Sequence, residues 1–117
     1  MKLRIRGNTL RYRLTQGEVA ALAEGRAVVE EVVFGEGRFT YEIVAGKGAP
    51  GMDVHASAWR ISVVIPGELA RAWGESEEVG LSADANGIKL VVEKDFACLK
   101  PRAGEEDADA FPNPGTC

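Results

Sequence analysis

Histidine occurs once in the chain, at His55. Any catalytic base or metal cluster built on histidine must therefore use that one residue. Asp53 and Ser57 flank it at period two, in an order resembling acid, base and nucleophile. Side chains two apart on a strand stand roughly 7 Å from one another, beyond hydrogen-bond reach, so no catalytic triad is expected there. Cysteine occurs only as Cys98 and Cys117, where a bridge would close a short polar loop and staple no core. Reduced thiols are expected. No CxxC or HxxxH spacing is present, so no metal is expected. The phosphate-binding, dinucleotide-binding and nucleophile-elbow glycine motifs are also missing, which leaves nucleotide-dependent and hydrolytic chemistry without support. We expect no enzyme activity and no cofactor. No apolar run approaches the ~20 residues that cross a bilayer, and the first residues alternate arginine with aliphatics, unlike a signal peptide. A soluble, cytoplasmic protein with no membrane partner is expected.

Charge of one sign is missing from each end. Residues 1–16 hold Lys2, Arg4, Arg6, Arg11 and Arg13 with no acid, and residues 103–117 hold Glu105, Glu106, Asp107 and Asp109 with no base. The chain as a whole carries −4, so the cations are gathered against the average. At 117 residues, with 45% hydrophobic and 27% charged residues, one globular domain is expected.

What is present is period-two patterning. Lys2–Arg6 and Leu10–Leu14 each alternate polar with apolar around Gly7-Asn8, which predicts a hairpin. A two-residue loop pairs Lys2 with Arg13, Leu3 with Tyr12, Arg4 with Arg11, Ile5 with Leu10 and Arg6 with Thr9. All five cations then share one face. Thr15-Gln16-Gly17-Glu18 is a capping-box pattern opening a short helix that Gly25 stops. Valine-rich Ala27–Phe34 and alternating Arg38–Val44 predict two strands about Gly35-Glu36-Gly37.

After a glycine, alanine and proline linker at 45–52 the order starts again. A β segment from Trp59 to Ile65 leads into a short helix from Pro66 to Trp73. Strands Glu78–Ala83 and Ile88–Glu93 follow about Asn86-Gly87, a strong hairpin signal. Laying Gly17-Glu18-Val19-Ala20 over Gly67-Glu68-Leu69-Ala70 gives a spacing of 50, so the chain reads as tandem ββαββ repeats, residues 2–44 and 53–94. The expected domain is 1–99, with 100–117 an acidic, proline-containing tail that is extended or disordered.

The stretch Arg6-Gly7-Asn8-Thr9-Leu10-Arg11-Tyr12-Arg13-Leu14-Thr15, then helix, valine-rich strand and Gly37-Arg38-Phe39, resembles the AbrB and MazE swapped-hairpin module. Arg60-Ile61-Ser62-Val63-Val64-Ile65-Pro66 with Glu68-Leu69-Ala70 resembles it again. The resemblance implies a mainly β fold: a pseudo-two-fold, swapped-hairpin-like β-barrel with two short helices, closed within one chain as a monomer. It also implies a DNA-binding regulator or antitoxin whose basic hairpin meets DNA. The second copy has only Arg60 in the corresponding strands, with Asp53 nearby, so it lacks a matching basic face. Glu93-Lys94-Asp95-Phe96-Ala97-Cys98-Leu99 and Asp109-Ala110-Phe111-Pro112-Asn113-Pro114 are similar to a small bacterial family of uncharacterised proteins.

Two readings of the hairpin face follow. Lys2, Arg4, Arg6, Arg11 and Arg13 form an anion- or nucleic-acid-contacting surface, to which Arg suits its planar donor fork. Alternatively Glu30, Glu31 or Glu42 on adjacent strands neutralise them. The other functional class is a protein-interaction module, in which Phe96, Glu105, Glu106, Asp107, Asp109 and Phe111 bind a partner or Phe111 docks back. Most other aromatics, Trp59 and Phe34 among them, are expected to face the core.

Overall fold

Alternating charged and aliphatic residues give two antiparallel strands, β1 (Lys2–Arg6) and β2 (Thr9–Leu14), in the expected register. Gly7 turns the chain at a φ of 53°, a conformation glycine adopts without a Cβ clash. In the computed structural model, which describes residues 1–96 and residue 111, helix α1 (Gln16–Ala23) follows. Its capping box is complete: Glu18 N donates to Thr15 Oγ1 at 3.3 Å, and Thr15 N donates to Glu18 Oε1 at 2.9 Å.

Strands β3 (Val28–Phe34) and β4 (Gly37–Gly46) form the next hairpin. The segment expected only from Trp59 onward is itself a hairpin, of β5 (Asp53–Ser57) and β6 (Arg60–Pro66). Helix α2 (Gly67–Gly74) and the hairpin of β7 (Gly80–Ala85) and β8 (Ile88–Lys94) complete the order. Asn86 and Gly87, at φ 52° and 83°, make the tight turn their residue types favour.

The strands form two four-stranded sheets, ordered β1-β2-β8-β7 (sheet A) and β3-β4-β6-β5 (sheet B). The central contact of each is parallel, β2 with β8 and β4 with β6. Each sheet therefore takes one hairpin from residues 1–46 and one from residues 53–94. Hydrogen-bonded pairing stops at β1, β7, β3 and β5, so the sheets do not join into the closed barrel expected from sequence. Where β1 comes near β3 the link is electrostatic: the Met1 amino group lies 3.4 Å from Glu30.

Both sheets and both helices contribute to one core, whose fully buried members include Tyr12, Leu14, Leu22, Ile43, Val63, Ile65, Trp73, Leu90 and Val92. Buried positions recur at a spacing of 51: Tyr12 and Leu14 against Val63 and Ile65, Val19 and Leu22 against Ala70 and Trp73. The helices begin at Gln16 and Gly67, so the spacing is one residue longer than the glycine alignment suggests.

Strand β8 ends against the one described residue of the tail. Phe111 bridges Phe96 in parallel, its N–H donates to the Asp95 carbonyl at 2.6 Å, and the rings lie 5.7 Å apart. At this residue the chain docks back onto the fold, the alternative the sequence offered for Phe111; the rest of the segment 100–117 lies outside the described residues.

Candidate functional site

The β1–β2 register puts Lys2, Arg4, Arg6, Arg11 and Arg13 on the face of sheet A opposite the core, because their neighbours Leu10, Tyr12 and Leu14 are buried. The parallel pairing of β2 with β8 extends that face. Thr9 lies beside Lys89, Arg11 beside Val91 and Arg13 beside Glu93. On β7, Ser82 and Asp84 lie beside Val91 and Lys89. The face thus carries six cations (Lys2, Arg4, Arg6, Arg11, Arg13, Lys89) against three acids (Asp84, Glu93 and, just after β8, Asp95).

Among the described residues two of the six cations form ion pairs, both with acids on or just after β8. Arg11 lies 3.3 Å from Glu93, and Lys2 lies 3.4 Å from Asp95. Among the described residues Arg4, Arg6, Arg13 and Lys89 have no ion pair. Arg4 stands directly opposite Arg11, a like-charge pair that opposes folding by about 0.2–1 kcal/mol.

The acids expected to neutralise the hairpin do not reach it. Glu30 meets the Met1 amino group, Glu31 meets Arg38 at 3.1 Å, and Glu42 holds Arg60. Topology is the reason: β3 and β4, although next in sequence, belong to the other sheet.

The corresponding face of sheet B is a closed polar network. Arg60 donates to Glu42 through Nε at 3.0 Å and Nη2 at 2.7 Å, and Ser62 Oγ donates to the same carboxylate. The Ser62 hydrogen bond, with Arg60 beside it, holds the Glu42 carboxyl below its ordinary range against the upward pull of burial. Both cations on this face, Arg38 and Arg60, are occupied by acids. An open cleft between the end of α1 and the start of α2 also brings cations together, but its Lys47 and Arg71 are balanced by Glu24 and Glu68.

His55 Nε2 lies 3.5 Å from Asp53 Oδ2, both side chains being exposed. The two lean together more closely than strand spacing suggests, because χ rotations at the end of an exposed strand close the gap. No hydrogen bond joins Ser57 to His55 among the described residues. Nor do those residues contain a group of three or more His, Cys, Asp or Glu placed to hold a metal. Among them no helix is long and apolar enough to cross a membrane.

Of the tail candidates, Phe96 and Phe111 lie with their rings tilted against one another at 5.7 Å. Glu105, Glu106, Asp107 and Asp109 lie outside the described residues, as do Cys98 and Cys117. Two features escaped the sequence reading. Lys89 belongs to the cationic face, which its alternation in β8 permits but only the β2–β8 pairing reveals. Phe34 and Trp59 are exposed rather than in the core, their rings tilted together at 5.8 Å.

The sequence matches a family of unknown function (DUF7009) over residues 1–115, and the chain belongs to that family. No curated protein and no solved structure matches it.

Proposed function

We propose that the protein binds nucleic-acid phosphates through the outward face of sheet A, as a DNA-binding regulator with a single basic face. The observation that carries this reading is six cations against three acids on one exposed sheet face of a chain whose net charge is −4. Among the described residues four of those cations form no ion pair, and one like-charge pair is held directly across a ladder. A surface kept at some expense to folding is explained by an anion that relieves the repulsion. Arginine, four of the six, grips phosphate with a planar fork rather than a point charge.

The same reading makes the chain an internal duplication in a swapped-hairpin arrangement. Each sheet joins the first hairpin of one half to the second hairpin of the other, and the buried pairs recur at a spacing of 51. That spacing sets Asp53, His55, Ser57, Ser62 and Val64 at the positions of Lys2, Arg4, Arg6, Arg11 and Arg13. Only one half has the cations, so each copy engages one continuous stretch of duplex.

The test is an anisotropy titration of the protein into mixed-sequence duplex DNA at low salt. Binding with a dissociation constant between ~1 and ~100 μM is expected of such a patch. Absence of binding at ~100 μM would remove the reading and leave sheet A as a charged but ordinary sheet face.

A further inference from the structure

Beyond nucleic-acid binding, the four sheet edges differ in a way that points to a second surface. β1 exposes Lys2, Arg4 and Arg6, β5 carries Asp53, His55 and Ser57, and β7 carries Ser82 and Asp84. Charges and polar side chains on an edge oppose pairing with another chain. β3 is different. Its first half is covered where the Met1 amino group meets Glu30, but Val32, Val33 and Phe34 are exposed in succession, Val33 at 66%. It contains no proline and no lysine.

Trp59, 63% exposed, sits beside this edge with its ring on Phe34. It is the one residue other than Gly and Asn at positive φ among those described, at 69°. Its carbonyl accepts from Thr40 N at 2.8 Å, so the ladder fixes the backbone in a conformation a bulky residue rarely adopts. A large aromatic held in strain and facing water is the kind of outlier that leads to a hypothesis of recognition.

We infer that this edge is a homodimer contact, in which β3 of one copy pairs antiparallel with β3 of a second. Matching core-side with core-side residues allows only registers whose paired numbers have an even sum. Of these, the register centred on Val33 sets Val33 against Val33 and Val32 against Phe34, and keeps Glu31 off its own mate. The acids of β3 need no cation from the second copy, since Glu31 already has Arg38 and Glu30 has Met1. Isologous pairing of this kind is the commonest form of self-association.

Area sets the strength. Val32, Val33, Phe34 and Trp59 offer on the order of 400 Å² per copy, given ~150–250 Å² for each aromatic. With the main-chain edges the pair buries roughly 1,000 Å², at the low end for a biological contact. The association is therefore weak and reversible, between chains that are each already folded.

Sedimentation equilibrium from ~10 to ~500 μM tests this, with Val33→Lys as the disrupting variant and Ile5→Lys, 56% exposed on the β1 edge, as its control. A monomer–dimer equilibrium is expected in the wild type and in Ile5→Lys, with dimer dissociation at least tenfold weaker-binding in Val33→Lys. Register is read by oxidative cross-linking in a Cys98→Ser, Cys117→Ser background. Val33→Cys lies opposite its own mate, within the ~4.4–6.8 Å Cα range of a disulfide, and cross-links. Val29→Cys, eight residues out of register and so ~27 Å from its mate, does not. A monomer throughout, a dimer lost in Ile5→Lys instead, or equal cross-linking at both positions would overturn the proposal.

Discussion

The Tyr12 hydroxyl is buried and has no hydrogen-bond partner among the described residues. Burial, with Tyr41 adding to it, pushes its pKa up to about 12 from 10.0. The sign follows from the raised value: the neutral phenol suits the folded state, so its contribution is intact below pH 10 and lost as pH rises toward 12. Two pH units at ~1.4 kcal/mol each put that loss on the order of 2–3 kcal/mol. Tyr12→Phe removes an orphaned polar group rather than a bond, so stability at pH 8 should be unchanged or higher by up to ~1 kcal/mol. Urea titrations at pH 8 and pH 11 should show this, with a smaller alkaline loss in the variant. A fall of more than ~1.5 kcal/mol at pH 8 would mean that the hydroxyl has a partner. Glu42 behaves oppositely. Its lowered pKa stabilises the fold above the ordinary value of 4.5 and loses that contribution as pH falls through the folded value. Glu42→Gln should therefore flatten the acid limb of a stability–pH curve, and an unchanged limb would mean that the Ser62 and Arg60 contacts do not hold in solution.

At the scale of elements, β8 does the most joining. It pairs with β2 and β7, supplies Glu93 and Lys89 to the cationic face, and buries Lys94 on the core side. Lys94 Nζ donates to the Ser76 carbonyl at 2.7 Å and lies 5.7 Å from the Trp73 ring centroid and 5.4 Å from that of Phe111. Phe111 is thus a lid on a buried ammonium as well as a mate for Phe96. Phe111→Ala should cost about 1–2 kcal/mol, below the 3–5 of a fully buried aromatic because the ring is half-buried. Removal of residues 103–117, Phe111 among them, should cost at least as much. Thermal unfolding decides, and a truncated chain as stable as the full one would show that the docking is marginal.

The same elements show what a sequence makes legible. The β1–β2 register, the capping box at Thr15 and the Asn86-Gly87 turn rest on neighbouring residues, and local sterics suffice to specify them. Partner choice between strands rests on contacts far apart in the chain, so sequence leaves open whether Glu30, Glu31 or Glu42 neutralises the hairpin and does not place Lys89 on its face. The bounds of β5 are not legible because Asp53-Val54-His55-Ala56-Ser57 has a lone valine to announce a strand, although the ββαββ repeat over 53–94 calls for one there. Phe34 and Trp59 read as core from their positions, although one ends β3 at its turn into β4 and the other lies in the turn from β5 to β6, and both are exposed.

For the whole molecule, charge asymmetry is the main finding. Two sheets of like architecture differ in that sheet A presents unpaired cations and sheet B a satisfied network with an apolar edge. The chain's average charge repels nucleic acid, so any affinity must come from sheet A. The slope of log K against log salt counts the phosphates involved. For duplex DNA the wild type should lose affinity with rising salt at about 0.9 per phosphate contacted. Arg4→Ala with Arg11→Ala should make that slope shallower by about two such contacts, while stability falls little or rises as the opposed charges are removed. This salt series on the wild type and the double variant decides whether sheet A meets phosphate. Binding is expected in both with the shallower slope in the variant; slopes that coincide, or a wild type that does not bind, would contradict it.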